Sequence, residues 1–547
     1  MDKSIAIQIL NELDKGREIN IVTKEIAKKN RLKKIPTKIE ILQYLTNNQK
    51  QKYLELSTKP VRTLSGVAPL ALMTKPIDCS HGRCTFCPGG LGSVFGDVPQ
   101  SYTGNEPSTM RAIRSNYDPY LIVFNRLEQY ILLNQIPEKV EVIIQGGTFP
   151  SFPEEYQEEF MKYTYKALND FSKLFFNKDK FNFEKFKKFF ELPGKKEDKE
   201  RTNIIQNRLL NLKGECSLKE EIKKNETSKI RAIAVCIETK PDWCFEEHIN
   251  KMLEMGTTRI ELGVQTIYDN VLKHVNRGHN LKDTLKSIQL LKDSFIKIVY
   301  HIMPGLPLTT KEMDINCFEE YFKDQNFRPD GLKIYPCMVM PGTVLYHNYI
   351  NGMFKPLSTK EASEIIKEGK KFIEPYCRVY RVQRDIPTKY IEAGVDKTNL
   401  RQLINSTCKC IRCREPQNKK IDFNKITLKR IDYDSSGGKE VFLSLESENN
   451  LLAFLRLRKP FRPFRKEITK DSVGIRELHT YGQASGIKGD GKIQHKGFGK
   501  SLMKEAEKIA REEFNAKKIL VISGIGVKEY YKKLGYRKDG IYMSKKI

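Results

Sequence analysis

No stretch of about 18 uncharged apolar residues occurs in this 547-residue chain, which excludes a membrane-spanning helix. The amino terminus, MDKSIAIQILNELDKG, has acids inside its apolar pattern and no small-residue cleavage site, so no signal peptide is read there. Without a secretory signal, the twelve cysteines do not read as a disulfide framework. In a reducing compartment thiols serve metals or fill core, and the cytoplasm is the expected location. Acids are in short supply: 68 Asp and Glu face 96 Lys and Arg, a net charge of +28. That surplus points to a polyanionic partner, nucleic acid first, because each cation placed on a phosphate releases counterions.

What is present divides into regions. Residues 1–66 read as a small basic helical module: Ile5, Ile9, Leu10 and Leu13 recur at helical spacing, followed by KEIAKKNRLKKIPTK. From 67 to 390, six apolar runs recur: VAPLALM (67–73), VEVIIQ (140–145), IRAIAVCI (230–237), RIELGV (259–264), IKIVYHIM (296–303) and GLKIYPCMV (331–339). Helical segments separate most of them. Strands of near-continuous apolar character alternating with helices predict a parallel sheet, open or closed into a partial (β/α)6 barrel. An insertion at about 171–229, rich in Lys, Phe and Asn, reads as a lid or a basic surface arm. Residues 391–420 form a Cys-rich linker, and 421–547 a separate α/β domain.

The chemistry is expected at the carboxyl ends of the barrel strands. The first run leads into KPIDCSHGRCTFCPGGLG, with Cys79, Cys84 and Cys87 inside nine residues. Three thiols in one loop leave one over from any disulfide pairing. A closed structural zinc wants four ligands; a four-iron, four-sulfur cluster held by three cysteines keeps one iron open to a small molecule. The later runs end in GGTF, ETKPD, Gln265-Thr266, PGLP and MPG, as one shared site would require. Lys333, in GLKIYP, points toward that site on this reading and is a catalytic candidate, with a solvated strand-end lysine as the alternative. In the last domain, Gln494-His495-Lys496-Gly497-Phe498-Gly499 opens the amphipathic helix KSLMKEAEKIAREEF. Glycines at a helix start expose N–H groups at the positive end of its dipole, which suits a pyrophosphate. The second thiol set, Cys408, Cys410 and Cys413, reads as a structural zinc site pinning the linker, with Cys337, Cys377 or His479 as candidates for a fourth ligand.

The cysteine loop, with Phe86 before its last thiol, Gly89-Gly90 after it and a GG at the next strand end, resembles the radical S-adenosylmethionine superfamily. The first gap is one residue longer than usual there. The resemblance implies a [4Fe-4S] cluster on Cys79, Cys84 and Cys87, and S-adenosylmethionine contacted by Gly146, Gly147, Glu238 and Gln265. Residues 421–547 resemble a GNAT-type acetyltransferase fold that binds acetyl-CoA, a mononucleotide-binding module being the rival. That implies coenzyme contacts at Glu477, Leu478, His479, Gln494, His495, Lys496, Gly497, Phe498, Gly499 and Lys500. It also places Tyr530 or Tyr531 beside the thioester; adjacent helical tyrosines point apart, so one at most is catalytic.

The pairing of these domains, with QSYTGNEPSTMRA, IETKPD, RDIP, RELHTYG and SGIGVKEYYKKLGY, resembles the catalytic subunit of Elongator in a single-chain archaeal or bacterial form. The resemblance covers nearly the whole chain. It implies modification of the wobble uridine of tRNA to 5-carboxymethyluridine, with the anticodon stem-loop and an electron-donor protein as partners and a homodimer left open. The RNA surface is expected at Lys28, Lys29, Arg31, Lys33 and Lys34, at Arg378, Arg381 and Arg384, and along Arg456, Arg458, Lys459, Arg462, Arg465 and Lys466. A protein lysine acetyltransferase with a structural cluster is the alternative; it calls for an acidic or peptide-binding groove, which a chain this basic does not suggest. A noncatalytic tRNA scaffold would not need the strand-end motifs.

Overall fold

The computed structural model describes residues 2–53, 56, 66–194, 198–397, 399–404, 408–417, 419, 421–481 and 497–547. The apolar runs form the expected strands: β1 (Val67–Met73), β2 (Lys139–Gln145), β3 (Arg231–Thr239), β4 (Arg259–Gln265), β5 (Lys297–Ile302) and β6 (Gly331–Ile334). A seventh, β7 (Arg378–Val382), joins from the basic RVYRVQR stretch, and all seven pair in parallel in chain order. The barrel is therefore partial, with one strand more than the periodicity indicated.

β2 shows why such a sheet carries a site. Val140, Val142 and Ile144 lie buried under the outer helices, while Lys139, Glu141, Ile143 and Gln145 stay partly open on the inner face. The inner faces of the neighbouring strands add Arg259, Glu261, His301 and Lys333. A close-packed barrel fills this space with branched apolar side chains; here it holds charge.

The insertion is not a lid. Helix Glu154–Phe175 runs into it, and Phe171, Phe175, Phe183, Phe186 and Phe190 bury themselves against Phe124 and the barrel's core. None of its residues lines the strand-end cavity described below. The phenylalanines that looked like parts of an arm supply a core of their own, and Lys185 and Lys188 face outward.

The last domain is a seven-stranded sheet: β8 (Ile426–Ser435), β9 (Gly438–Ser447), β10 (Asn450–Lys459), β11 (Ser472–Thr480), β12 (Lys518–Val521), β13 (Arg537–Asp539) and β14 (Tyr542–Lys546). Their order is β8-β9-β10-β11-β12-β14-β13. Period-two alternation splits its side chains between two surfaces. Val441, Leu443, Leu455, Leu457, Val473 and Ile475 pack with Leu502, Met503, Ala506 and Ile509 of helix Phe498–Glu512. Phe442, Phe454, Leu520 and Tyr542 face the other way and share the barrel's core. This domain has a core of its own and is docked on the barrel, and covering on both surfaces explains why β10 is buried along most of its length.

Charge is buried in that docking surface. Arg458 Nε lies 2.9 Å from Asp293 Oδ1, and its Nη1 lies 3.0 Å from Glu440. Arg476 pairs with Asp330 at 2.5 Å and Glu440 at 2.9 Å, and Arg456 Nε with Glu477 at 2.9 Å. Arg456 is 1% exposed and Arg458 0%. The expectation that they touch RNA is therefore wrong: their partners, distant in sequence, hold them inside the domain junction. Lys459 donates to the Lys470 carbonyl at 2.7 Å and Arg465 pairs with Glu467 at 2.8 Å, which leaves Arg462 and Lys466 as the exposed cations of that run. Lys28, Lys29, Arg31, Lys33 and Lys34 are all exposed.

Candidate active site

At the carboxyl ends of the strands lies a cavity of ≈ 130 Å³ lined by Cys79, Cys84 and Cys87, Gln145, Gly147, Thr148, Glu238, Glu261, Gln265, Arg277 and His301, with Arg381 from β7 and Arg384 just after it. A larger surface cleft of ≈ 480 Å³, lined by Lys166, Lys173, Lys178, Lys224 and Lys229, lies at the insertion, away from the thiols and the strand ends. The strand ends bring together what the sequence scatters over some 300 positions.

Each thiol has a polar neighbour. Cys79 Sγ is 3.4 Å from Thr148 Oγ1, Cys87 Sγ accepts from Ser101 N at 3.1 Å, and Cys84 Sγ has Arg277 Nη1 at 3.5 Å and His81 Nε2 at 3.4 Å. Burial pushes the Cys87 thiol up to about 12, so bound iron or nearby cations must stabilise a thiolate there. The two thiol sets differ in spacing. Cys408, Cys410 and Cys413 place their sulfurs within 4.8 Å of one another, close to the separation of about 3.8 Å that a tetrahedral ion with 2.3 Å bonds imposes. Cys79, Cys84 and Cys87 form no such tight group; they ring a cavity, as ligands to different irons of one cluster would. Among the described residues Gln145 Oε1, Thr239 Oγ1 and Gln265 Oε1 are buried without partners, so polar groups are free for a small molecule beside the thiols. The residues fit the cluster and its cofactor.

The strand-end glycines are there for shape. Gly146 has φ +118°, and a Cβ on it would stand 2.2 Å from Thr74 Oγ1. Any side chain would force the β1 and β2 ends apart. Gln265 has φ +67° without being glycine, a strain of the kind held at functional positions.

Lys333 is not the solvated strand-end lysine of the alternative reading. It is 9% exposed, and its Nζ sits on Glu261 and 3.6 Å from Glu238. Burial works against its charge, but the two carboxylates outweigh this and raise its pKa. Glu238 also accepts from Tyr102 Oη at 2.7 Å and Gln145 Nε2 at 3.2 Å. Thr148, Ser101, Arg277, His81 and Tyr102 were missed as site residues; they carry no periodic signal, and apart from His81, which lies within the cysteine loop itself, the fold brings them to the site from elsewhere in the chain.

In the last domain β11 pairs with β12 only over Ser472–Ile475, while β10 accompanies it to Thr480. The edge from Glu477 to Thr480 is open toward the start of helix Phe498–Glu512. Gly497, with φ +80°, caps that helix, and a Cβ on Gly499 would stand 2.9 Å from the Tyr530 hydroxyl and 3.8 Å from Leu478 Cδ2. Tyr530 therefore faces the helix start; Tyr531 is 6% exposed and packs inward on Tyr536. Of the three β11 side chains expected at a coenzyme, only Leu478 faces this space. Glu477 is held by Arg456 and Lys297, and His479 stacks on Phe454 and Tyr481; their backbone groups alone remain for a ligand. Phe498 and Lys500 sit in the helix's first turn, whereas Gln494, His495 and Lys496 lie outside the described residues.

For the second thiol set, Cys337 lies with Cys84 and Cys87 at the other site and His479 is stacked as above. Cys377 is the nearest candidate: its carbonyl accepts from Ile411 N at 2.9 Å. No described His or Cys joins the three sulfurs at ligand spacing.

Four family models match the chain: ELP3 N-terminal domain (residues 3–64), Radical SAM superfamily (76–316), Radical_SAM C-terminal domain (329–409) and Acetyltransferase (GNAT) family (406–536). A tRNA uridine(34) acetyltransferase of Methanocaldococcus jannaschii is 45% identical, covering 99% of this chain and 97% of the relative. Elongator complex protein 3 of Saccharomyces cerevisiae is 39% identical over 99% and 95%. The solved structure of archaeal Methanocaldococcus infernus Elp3 with an N-terminal deletion superposes with a TM-score of 0.71 at 41% identity, covering 89% of this chain and all of that one. Among the described residues no helix is long and apolar enough to cross a membrane.

Proposed function

Because the chain belongs to the Elp3 family and is an enzyme joining a radical S-adenosylmethionine domain to a GNAT acetyltransferase domain, we propose that it modifies the wobble uridine of tRNA with the acetyl group of acetyl-CoA, giving 5-carboxymethyluridine. The carrying observation is the cavity in which three spaced thiols meet the buried, unpartnered oxygens Gln145 Oε1, Thr239 Oγ1 and Gln265 Oε1. Cys79, Cys84 and Cys87 would hold the cluster, and Gly146, Gly147 and Gln265 would receive S-adenosylmethionine. When bound, the pair supplies a 5′-deoxyadenosyl radical able to take hydrogen from the acetyl methyl group, whose carbon then adds to carbon 5 of uridine.

The chain's own residues do the rest. Gly497, Gly499 and the open Glu477–Thr480 edge offer backbone donors and acceptors to coenzyme A, with Tyr530 over the helix start beside them. Arg381 and Arg384 sit at the cavity mouth, placed for the phosphates of an unstacked nucleotide. Cys408, Cys410 and Cys413 would hold a structural zinc that ties the linker to the two domains. Reducing the cluster takes an electron from outside the chain, and an electron-donor protein is its proposed source.

The test is direct. Reconstituted protein, tRNA, acetyl-CoA, S-adenosylmethionine and a reductant should yield a nucleoside with the mass of 5-carboxymethyluridine, together with 5′-deoxyadenosine. Replacing Cys79, Cys84 and Cys87 with alanine should abolish both. Normal iron content and normal product in that variant would overturn the reading.

A further inference from the structure

The floor of the cavity holds an assembly that the steps above leave unused. His301, near the end of β5, places Nε2 3.1 Å from Oε2 of Glu261 and lines the cavity with its ring edge-on to Tyr335, centroids 5.2 Å apart. Glu261 is 1% exposed and is met by three basic groups: Lys333, Arg259 at 3.1 Å and His301. A carboxylate so surrounded only accepts, so the shared proton belongs to Nε2 and the lone pair to Nδ1. Burial and the Lys333 charge pull the ring's pKa down against the opposing pull of Glu261 and Glu238. The ring is thus neutral, and basic, at neutral pH. Glu238, Glu261 and His301 also bring ligand atoms within 4.8 Å of one another. Lys333 lies on both carboxylates, and together with Arg259 on Glu261 it supplies the two positive charges that a divalent ion would bring.

We propose that His301, oriented by Glu261, is the general base and acid that hydrolyses the thioester once the carbon–carbon bond to uridine has formed. The proposal rests on the functional reading above. The tethered product has its thioester carbonyl one methylene from uridine carbon 5, so its hydrolysis belongs in this cavity. Nδ1 takes a proton from water as the oxygen adds to the carbonyl carbon. The carbon–sulfur bond then breaks, its electron pair goes to sulfur, and the imidazolium returns the proton to the thiolate. Carboxymethyluridine and free coenzyme thiol result, with no net oxidation or reduction. Glu261 fixes the ring and favours its protonated state in passing; Lys333, with Glu238, Arg259 and Arg381 around it, holds Glu261 in place.

The test uses the full reconstituted protein with tRNA. His301→Gln keeps a donor for Glu261 and removes the base. In a single turnover it should form 5′-deoxyadenosine at nearly the wild-type rate. Carboxymethyluridine should fall about 10²–10³-fold, within the range of general-base contributions, and a uridine bearing the coenzyme thioester should accumulate in the digest. Wild-type hydrolysis of that isolated intermediate should lose rate on acidification with an apparent pKa below the ordinary 6.5 or so of histidine; the variant should not show this limb. Normal carboxymethyluridine with an unchanged pH profile overturns the proposal, as does parallel loss of 5′-deoxyadenosine in a folded variant. If the variant does not fold, a wild-type hydrolysis rate that does not fall on acidification down to the acid limit of the folded protein overturns it. Wild type that makes no modified uridine at all refutes the functional reading instead.

Discussion

Two strands of this protein read alike and do opposite work. RVYRVQR (378–384) and LRLRK (455–459) both intersperse arginine with mostly apolar residues, at every third position in the first and every second in the other, and both read as parts of an RNA surface. In the first, Arg381 is 35% exposed in its side chain and pairs with Asp385 at the mouth of the strand-end cavity. In the second, Arg456 and Arg458 have no contact with solvent worth the name and meet Asp330, Glu477, Asp293 and Glu440 in the domain junction. The difference lies in neither strand. It lies in carboxylates between 18 and 165 residues away from their arginines, which decide whether a cation is a handle for phosphate or a rivet between domains. A buried pair of this kind fixes register more surely than it adds stability, because desolvation consumes much of the Coulomb gain. Breaking one partner is another matter.

The largest effect that would sharpen this contrast comes from Arg458→Ala. It leaves Asp293 and Glu440 buried with a partner missing, for which the expected cost is about 3–5 kcal/mol. A shift of the denaturant midpoint for the docked barrel and sheet, with earlier proteolysis at the junction, would show it. The slope of log tRNA affinity against log salt should not change. A folded variant of wild-type stability whose slope flattens would return Arg458 to the RNA surface.

How much of this could be read in advance follows from where each signal resides. The strands, the thiol loop, the glycine pair and the helix opened by Gly497 and Gly499 are local, and the chain shows them locally. β7 was legible as a strand but not as part of the sheet, because its arginines masked an inner-face alternation that ends at the cavity. His301 was invisible: a histidine in an apolar run means nothing until Glu261 from the neighbouring strand arrives 3.1 Å away. The insertion misled for the converse reason. Its lysines dominate the composition, whereas its phenylalanines, spaced for a helix face, determine where it packs.

A second, smaller effect separates the two arginine sets by pH. Burial raises the Glu477 carboxyl, but Lys297 and Arg456 outweigh it and hold the group at about 2. An unfolded glutamate titrates near 4.3. Between those values the unfolded chain binds more protons than the native one, so this contribution is complete above pH of about 4.3 and is lost as pH falls toward 2. It amounts to about 3 kcal/mol at most. Denaturant unfolding at pH 5, 4 and 3 should lose stability more steeply in wild type than in Glu477→Gln. Equal pH dependence in the two would mean that the junction carboxylates are not charged in the way described.

The smallest change in stability, and the clearest test of the opposite role, belongs to Arg381→Ala. Its ion pair with Asp385 is half in solvent, so truncation should cost no more than about 1 kcal/mol. Yet Arg381 is partnered in register with Lys333 on β6 and lines the cavity beside Glu238 and Tyr335. If it receives a phosphate of the entering nucleotide, the variant should bind tRNA more weakly, and the magnitude of its salt slope should fall by about 0.7–0.9, the share of one phosphate contact. S-adenosylmethionine cleavage in the absence of tRNA should persist. Arg381→Lys should restore the slope but not the full rate, since an ammonium supplies charge without the planar fork. A variant with an unchanged salt slope and lowered stability would place Arg381 with Arg456 and Arg458, as one more internal rivet, and the distinction between the two strands would fall.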